Sequence, residues 1–398
     1  MHSDRKINIT YLASRLRRQG PFFQLYSIIK YLDRSRFHPR IITLSPEATD
    51  SLMDDFKREG IDCTSLSLSR KTDMLLGPKK LKNVFRNSPP SLIHVSGLRS
   101  AMLCANHLAS MPRIVTCRQM FDSMHYKLSG DPWLLGYIKM NVFARACRKF
   151  NRIIAVSESV KNSATAELAD RIKVVYNGVD QDIYKPFIPA QKAHVRSKLG
   201  LPQGKRIFLS TGFLSKRKDP VTVIKGFLQS RTTHTDMLVL LGDGPLRAQC
   251  STLTEQENSI RVEGFVKNVS DYLGASDILI SGSLFEGCPN SVMEALAHGL
   301  AVILSDIPPH REILAFDGKA GVTFNTGSID SLVQAFVEID QREYSIRSQA
   351  ALKIVNDHLN AREMSLRYQQ VYTELYNEYF GNSGVQNTET QGRIHTND

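Results

Sequence analysis

No apolar run in this sequence approaches the ~18 residues that a membrane-crossing helix needs. Its opening, MHSDRKINITYLASRL, is too polar for a secretory leader. The expectation is a chain that neither crosses a bilayer nor carries a signal peptide. CxxC spacing is also missing. Cys63, Cys104, Cys117, Cys147, Cys250 and Cys288 are scattered, with no histidine cluster beside them. That argues against a zinc site and a disulfide framework, and reduced cytosolic thiols are expected. There is no aromatic strand of the RNA-binding type and no recognition-helix pattern, so no nucleic-acid partner is expected. Acidic residues run short in one half only. Met1 to Lys185 holds 30 Lys and Arg against 16 Asp and Glu, a net of +14, whereas Pro186 to Asp398 holds 21 against 23, a net of −2. The excess suggests an anionic partner for the first half, such as a membrane surface or a phosphorylated lipid; a solvated basic surface is the plain alternative.

What is present is alternation. KINITYLA (6–13), RIITLS (40–45), SLIHVSG (91–97), RIVTC (113–117), RIIAVSE (152–158) and KVVYNG (173–178) read as strands. Helical stretches lie between them, such as PFFQLYSIIKYLDR (21–34) and DPWLLGYIKMNVFARACRKF (131–150). Strand–helix alternation of this kind builds a parallel sheet covered on both faces. From Val179 to Lys205 the alternation stops, and three prolines mark a linker with one short helix at 190–199. It resumes with strands at 206–212, 236–244, 259–265, 277–283 and 300–306, and helices near 220–231, 246–256, 268–275, 291–298 and 329–339. The pattern predicts an α/β protein of two tandem, doubly wound, Rossmann-like domains facing a central cleft, 1–185 and 186–360. Helical patterns at 342–358 and 361–380 close the chain, and the polar residues 381–398 read as disordered. Ligands of such sheets bind at the carboxyl ends of strands.

Three motifs fall at those ends. LLGDGPLR (240–247) puts Gly242 and Gly244 between a strand and a helix. Bare backbone there can approach a ligand and a helix N-terminus favours an anion, although an ordinary turn reads the same. STGFLSKRKDP (210–220) carries Lys216, Arg217 and Lys218, a set able to clamp a diphosphate and to stabilise charge on a leaving group. FEGCPNSVMEALAHG (285–299) holds Glu286 straight after a strand, where a carboxylate can accept hydrogen bonds from sugar hydroxyls. Glu294 lies one turn inside the next helix and fits a Ser-x-x-Glu capping box with Ser291, so a purely structural role stays open. N–H groups of Asn290 and Ser291 at the start of that helix can receive phosphate oxygens. The Asp-Gln-Asp of 180–182 looks like a metal-binding pair but falls in the linker, and His94 in LIHVSG reads as a structural histidine.

In order and spacing, STGFLSKRKDP, LLGDGPL, VEGFV, ASDILISGSLFEGCPNSVMEALAHGLAVILSD and PPHREIL span about 110 residues. They resemble the family-four retaining glycosyltransferases of the GT-B fold. VYNGVDQDIYKP (175–186) is similar to the stretch that closes the family's N-terminal domain. The resemblance implies that the helix at 361–380 returns to the first domain. It implies Glu286 against the donor sugar, Glu294 on the ribose hydroxyls, and the N–H groups around Asn290 and Ser291 on phosphate and sugar. It implies Lys218 on the diphosphate, with Arg217 as a second cation, and backbone near Val266 on the base. The family's N-terminal glycine-rich loop is reduced to RRQGPFF, so only Gly20 carries over. Phe213 stands where the family usually has Arg. After RIVT, where the family often has a His, this chain has CRQ, and Arg118 is the nearest candidate for a group at the reaction centre.

The implied reaction moves a hexosyl group from a nucleotide sugar, with UDP preferred over GDP, to a glycan or a polyprenyl-diphosphate-linked acceptor. It proceeds with retention and without metal or other cofactor. A cytoplasmic enzyme at the inner face of a membrane, building surface polysaccharide or glycolipid, is the expectation. A sugar-nucleotide epimerase of the same architecture, and a catalytically degenerate nucleotide-binding member, are the alternatives.

Overall fold

The computed structural model describes residues 6–69, 72–128, 132–230, 235–339 and 343–381. The tail expected to be disordered lies, from residue 382 onward, outside the described residues. Short runs of Ile, Val and Leu become strands of two parallel sheets. The first contains β1 (Ile7–Ala13), β2 (Phe37–Thr43), β3 (Asp62–Ser65), β4 (Leu92–Ser96), β5 (Arg113–Cys117), β6 (Arg152–Ala155) and β7 (Ile172–Val174), in the order β3-β2-β1-β4-β5-β6-β7. The second contains β8 (Arg206–Thr211), β9 (Asp236–Leu241), β10 (Ile260–Gly264), β11 (Ile278–Ser281), β12 (Ala301–Ser305) and β13 (Gly321–Phe324), in the order β10-β9-β8-β11-β12-β13. Every pairing between these strands is parallel.

Helices cover both faces, so neighbouring residues of one strand enter different cores. Ile41 packs with the helices Gly20–Lys30 and Ala361–Phe380, whereas Ile42 packs with Asp73–Asn87, Leu98–His107 and Trp133–Cys147. Two-sided burial is why these strands read as continuous apolar runs rather than as alternating ones. The edge strands β3 (DCTS) and β13 (GVTF) escape that reading. Each has four residues and one neighbouring strand. At the β3 edge no residue is fully buried, which allows a polar sequence.

Past β13 the chain forms the helices Ile329–Glu338 and Tyr344–His358 and then crosses back to the first sheet. Asn360 caps the last helix, its side chain accepting from the N–H groups of Arg362 and Glu363. Met364, Tyr368, Val371 and Tyr372 of that helix are buried in the core beside β1 and β2. The return crossing lies directly against the outgoing one. The Val179 N–H donates to the Leu359 carbonyl (2.7 Å) and the Ala361 N–H to the Val179 carbonyl (3.0 Å). A Cβ at Gly178 would strike the Ala361 backbone, so the contact needs glycine. Strand order reverses between β1 and β4 and between β8 and β11, and at such switch points loops diverge and leave a crevice.

Candidate active site

The loops that follow β8 and β11 carry opposite charges into the second crevice. After β8, Asp219 takes a left-handed backbone (φ 45°) and caps the helix Pro220–Gln229 by accepting from the Thr222 N–H. That cap ends the loop and leaves Arg217 and Lys218 turned inward. Lys216 and Phe213 are exposed instead, so the triple cationic clamp read from the sequence is a pair. After β11, Glu286 is buried at 8% exposure, with Lys218 Nζ 2.7 Å from its Oε1 and Arg217 Nη1 2.9 Å from its Oε2. Arg217 also donates to the Phe285 carbonyl (3.0 Å), and the Ser283 hydroxyl donates to Glu286 Oε1 (2.9 Å). Burial opposes ionisation of this carboxyl, but the two cations outweigh it and hold it down at about 2.

A neutral histidine braces the loop from behind. His310 donates from Nδ1 to the Ser305 carbonyl (2.8 Å), and the Ser305 hydroxyl donates to the Ser283 carbonyl (2.5 Å). Burial lowers His310 to about 4, so it is neutral at physiological pH.

Glu294 departs from the capping-box reading. The helix Asn290–Ala297 has Pro289 as its N-cap with no side-chain cap, and Ser291 is its second helical residue. A capping box needs the serine at the N-cap itself, one position that this Ser291 does not occupy. The Glu294 carboxyl instead bonds the Tyr184 hydroxyl, and burial pushes it up to about 7. The Lys218 charge acts on both carboxyls and favours the ionised form of each. Helix geometry thus puts Glu294 inside the same crevice as Glu286, with one lysine serving both.

The glycines have a backbone task. Gly242 (φ 128°) donates its N–H to the Gly264 carbonyl (2.7 Å), and a Cβ there would collide with the Gly212 carbonyl. Gly244 approaches the Leu214 carbonyl in the same way. The close approach is therefore between the loops after β8 and β9, which shapes the crevice wall. Val266, partly buried, follows β10 and packs on the second domain's core.

Residues of the first domain close over this crevice. Gly20 opens the helix Gly20–Lys30, and a Cβ on it would press on the Asn290 side-chain amide. Asn290 Oδ1 accepts from Asn177 (3.2 Å) and Gln24 (3.4 Å). Arg118, just past β5, stacks its guanidinium 5.8 Å from the Phe22 ring centroid, and burial lowers it to about 10. Its carbonyl lies against Gly287, beside Glu286. The Ser157 hydroxyl donates to the Gly287 carbonyl (2.7 Å), and Glu312 accepts from the Glu158 N–H (2.6 Å) and the Ser159 N–H (2.8 Å). Asp180 and Asp182 are occupied by Lys30 and by the Tyr31 hydroxyl.

The structure thus gathers Glu286, Lys218, Arg217 and Glu294, and brings Asn290, Gly20 and Arg118 to their border. Tyr184, Ser283, His310, Ser157 and Glu312 were missed. Tyr184 and Glu312 lie in stretches the resemblance singled out, but nothing in their local spacing marks them. Two family models match this chain: Glycosyltransferase Family 4 over residues 19–183 and Glycosyl transferases group 1 over residues 191–350. The chain belongs to the family-four glycosyltransferases. This glycosyltransferase is 26% identical over 311 residues to the UDP-Gal:alpha-D-GlcNAc-diphosphoundecaprenol alpha-1,3-galactosyltransferase of Escherichia coli, covering 74% of its own length and 77% of the relative's. It is 21% identical over 380 residues to the O-antigen biosynthesis glycosyltransferase WclY of Escherichia coli, covering 94% and 99%. The glycosyltransferase also superposes on the crystal structure of Anabaena HepE in complex with UDP, with a TM-score of 0.77 at 18% identity over 92% of this chain and 100% of that one. That likeness shows the GT-B fold.

Proposed function

We propose that this glycosyltransferase moves a hexose from a UDP-sugar to a lipid-diphosphate-linked glycan, with retention of configuration and without a metal, in the assembly of a surface polysaccharide. The observation that carries the reading is the ionised Glu286 held between Lys218 and Arg217 at the switch point. A donor diphosphate arriving there competes for the two cations and frees the carboxylate to accept hydrogen bonds from sugar hydroxyls. Glu294, one turn inside the helix Asn290–Ala297, accepts from the ribose hydroxyls in its ionised form.

In the transfer step the bond between the anomeric carbon and the diphosphate oxygen breaks, and its electron pair leaves with UDP. The acceptor hydroxyl oxygen bonds to the anomeric carbon on the same face, and its proton passes to the departing diphosphate. Lys218 and Arg217 stabilise the charge growing on that leaving group, a kind of contact worth about 10²–10³ in rate. The similarity to a galactosyltransferase that pairs UDP-Gal with a GlcNAc-diphosphoundecaprenol acceptor supports the choice of donor and acceptor. The site of action is the cytoplasmic face of the membrane that holds such a lipid.

A panel of nucleotide sugars, scored by thermal shift on wild type and Glu294→Ala, tests the donor. A ligand at about 100 times its Kd adds ~2.7 kcal/mol of stability. The expected result is one UDP-sugar that stabilises the wild type and not the variant, followed by transfer to a polyprenyl-diphosphate sugar giving a product of unchanged anomeric configuration by NMR. A flat panel, or an inverted product, overturns the reading.

A further inference from the structure

The first sheet divides its helices sharply by charge. The four helices between β3 and β6, Asp73–Asn87, Leu98–His107, Ser123–Leu128 and Trp133–Cys147, carry eight Lys and Arg against one Asp. The three on the opposite face, Gly20–Lys30, Met53–Arg58 and Ala361–Phe380, carry five basic and five acidic residues. The basic face is also where apolar side chains stand in solvent. Eight of the nineteen large exposed hydrophobic residues among the described residues lie on it. Trp133 (69% exposed), Leu134, Tyr137 and Ile138 form one stripe at helical spacing over two turns, while Ala146 and Cys147 at the far end of the same helix are buried in the core. Leu75 and Leu76 project likewise from the first turn of Asp73–Asn87.

Both apolar turns are the starts of crossover helices. In a parallel sheet such helices begin at the carboxyl edge of the strands, the edge that faces the crevice. An apolar stripe with Trp and Tyr, on a face whose helices carry eight Lys and Arg against one Asp, matches an anionic bilayer, where the rings sit at headgroup depth and each basic residue is attracted to anionic lipid.

We infer that the N-terminal turns of Trp133–Cys147 and Asp73–Asn87 form the membrane-docking surface of this glycosyltransferase, inserting Trp133, Leu134 and Ile138 among anionic phospholipids so that the acceptor side of the cleft faces the bilayer. The purpose of the contact rests on the reading of a lipid-linked acceptor, but docking itself is measured with neither donor nor acceptor present. A failure here is therefore distinct from a failure of that reading.

Trp133 is the one tryptophan in the chain, so intrinsic emission reports this helix alone. The full chain is mixed with phosphatidylcholine vesicles with and without roughly a third phosphatidylglycerol. The expected result is co-sedimentation with anionic vesicles only, a blue shift of the Trp133 emission, and quenching by lipids brominated on their acyl chains. A Leu134→Ser/Ile138→Ser variant should lose about tenfold or more in vesicle affinity. It should keep the wild-type melting temperature and the wild-type thermal shift with a nucleotide sugar. Absence of vesicle binding overturns the proposal. So does binding with unchanged Trp133 emission, which assigns docking to another face. A blue shift that grows with protein concentration alone, with dimers in sedimentation velocity, also overturns it by assigning the stripe to a second copy of the chain.

Discussion

In the second sheet, the loops past β8 and β11 bring Lys218, Arg217 and Glu286 into contact as full charges. In the first sheet, the equivalent switch strands β1 and β4 carry Tyr11 and His94, which join Thr116 of β5 and two tyrosines of the last helix. His94 Nδ1 lies 2.8 Å from the Tyr372 hydroxyl and Nε2 lies 2.7 Å from the Thr116 hydroxyl, while Tyr11 bonds Tyr372 (3.2 Å) and Tyr368 bonds Thr116 (3.2 Å). Burial lowers His94 to about 3, so this network is uncharged at physiological pH. The neutral network satisfies its own donors and acceptors and fastens the last helix to the sheet. The charged cluster holds two cations against Glu286, which on the proposed function a donor diphosphate takes over. Buried polarity alone does not mark a functional site; the distinction is whether the groups are saturated by one another or by partners a ligand can replace.

The comparison breaks most visibly at Lys218. Lys218→Ala should lower kcat/KM for sugar transfer by about 10²–10³, with the fold intact by circular dichroism. Activity within a few-fold of wild type would make the charged cluster structural, like its counterpart. Tyr372→Phe should do the reverse. It strips the partner of His94 Nδ1 and of the Tyr11 hydroxyl, costs about 1–3 kcal/mol in urea unfolding, and leaves turnover per folded molecule unchanged.

The pH dependence sharpens the contrast. The Glu294 carboxyl is raised from 4.5 to about 7 in the fold. Its contribution is fully present below pH 4.5 and is lost as pH rises through 7. Glu294→Gln should therefore match wild type near pH 4 and exceed it by about 3 kcal/mol at pH 8, read by thermal melts, while losing the donor-induced shift. His94 runs the opposite way: its folded value is lowered, so its contribution is present above its ordinary value of 6.5 and is lost as pH falls toward 3. The smallest effect is expected at Ser283→Ala, which removes one hydrogen bond to Glu286. A loss of a few-fold in kcat, about 0.5–1.5 kcal/mol, is the anticipated result in the transfer assay.

The sequence was most readable where charge follows an apolar run. Glu286, Lys218 and Arg217 all sit within a few residues of a strand's carboxyl end, and a parallel sheet brings those ends together whatever the rest of the chain does. Interior strands were readable for a related reason, since two-sided burial demands unbroken apolar runs. Strand β3 was not, because none of its four residues is fully buried, and β13 was not, because Gly321 and Thr323 interrupt its apolar character although Val322 and Phe324 are buried. At Glu294 the sequence left two readings, a ribose contact and a helix cap, because Ser291 and Glu294 have the spacing of a capping box; Pro289 takes the cap position, moves the serine inside the helix and removes the second reading. Tyr184, Ser157 and Glu312 had no readable signal, because their partners Glu294, Gly287 and Ser159 lie more than a hundred residues away or on the other sheet. Sequence spacing reports neighbours within an element, and those contacts exist only once both domains have folded.

The paired crossing at Val179 and Asn360 has a mechanical consequence. Two chain segments joined side by side at one short line behave as a spine, leaving the halves a swing about that line and little freedom to slide. Cleft width then reduces to a single angle, and Gln24, Asn177, Ser157 and Glu312, all reaching across it, engage or release together as that angle changes. A methyl group at Gly178 would wedge the spine open and shift the whole set at once.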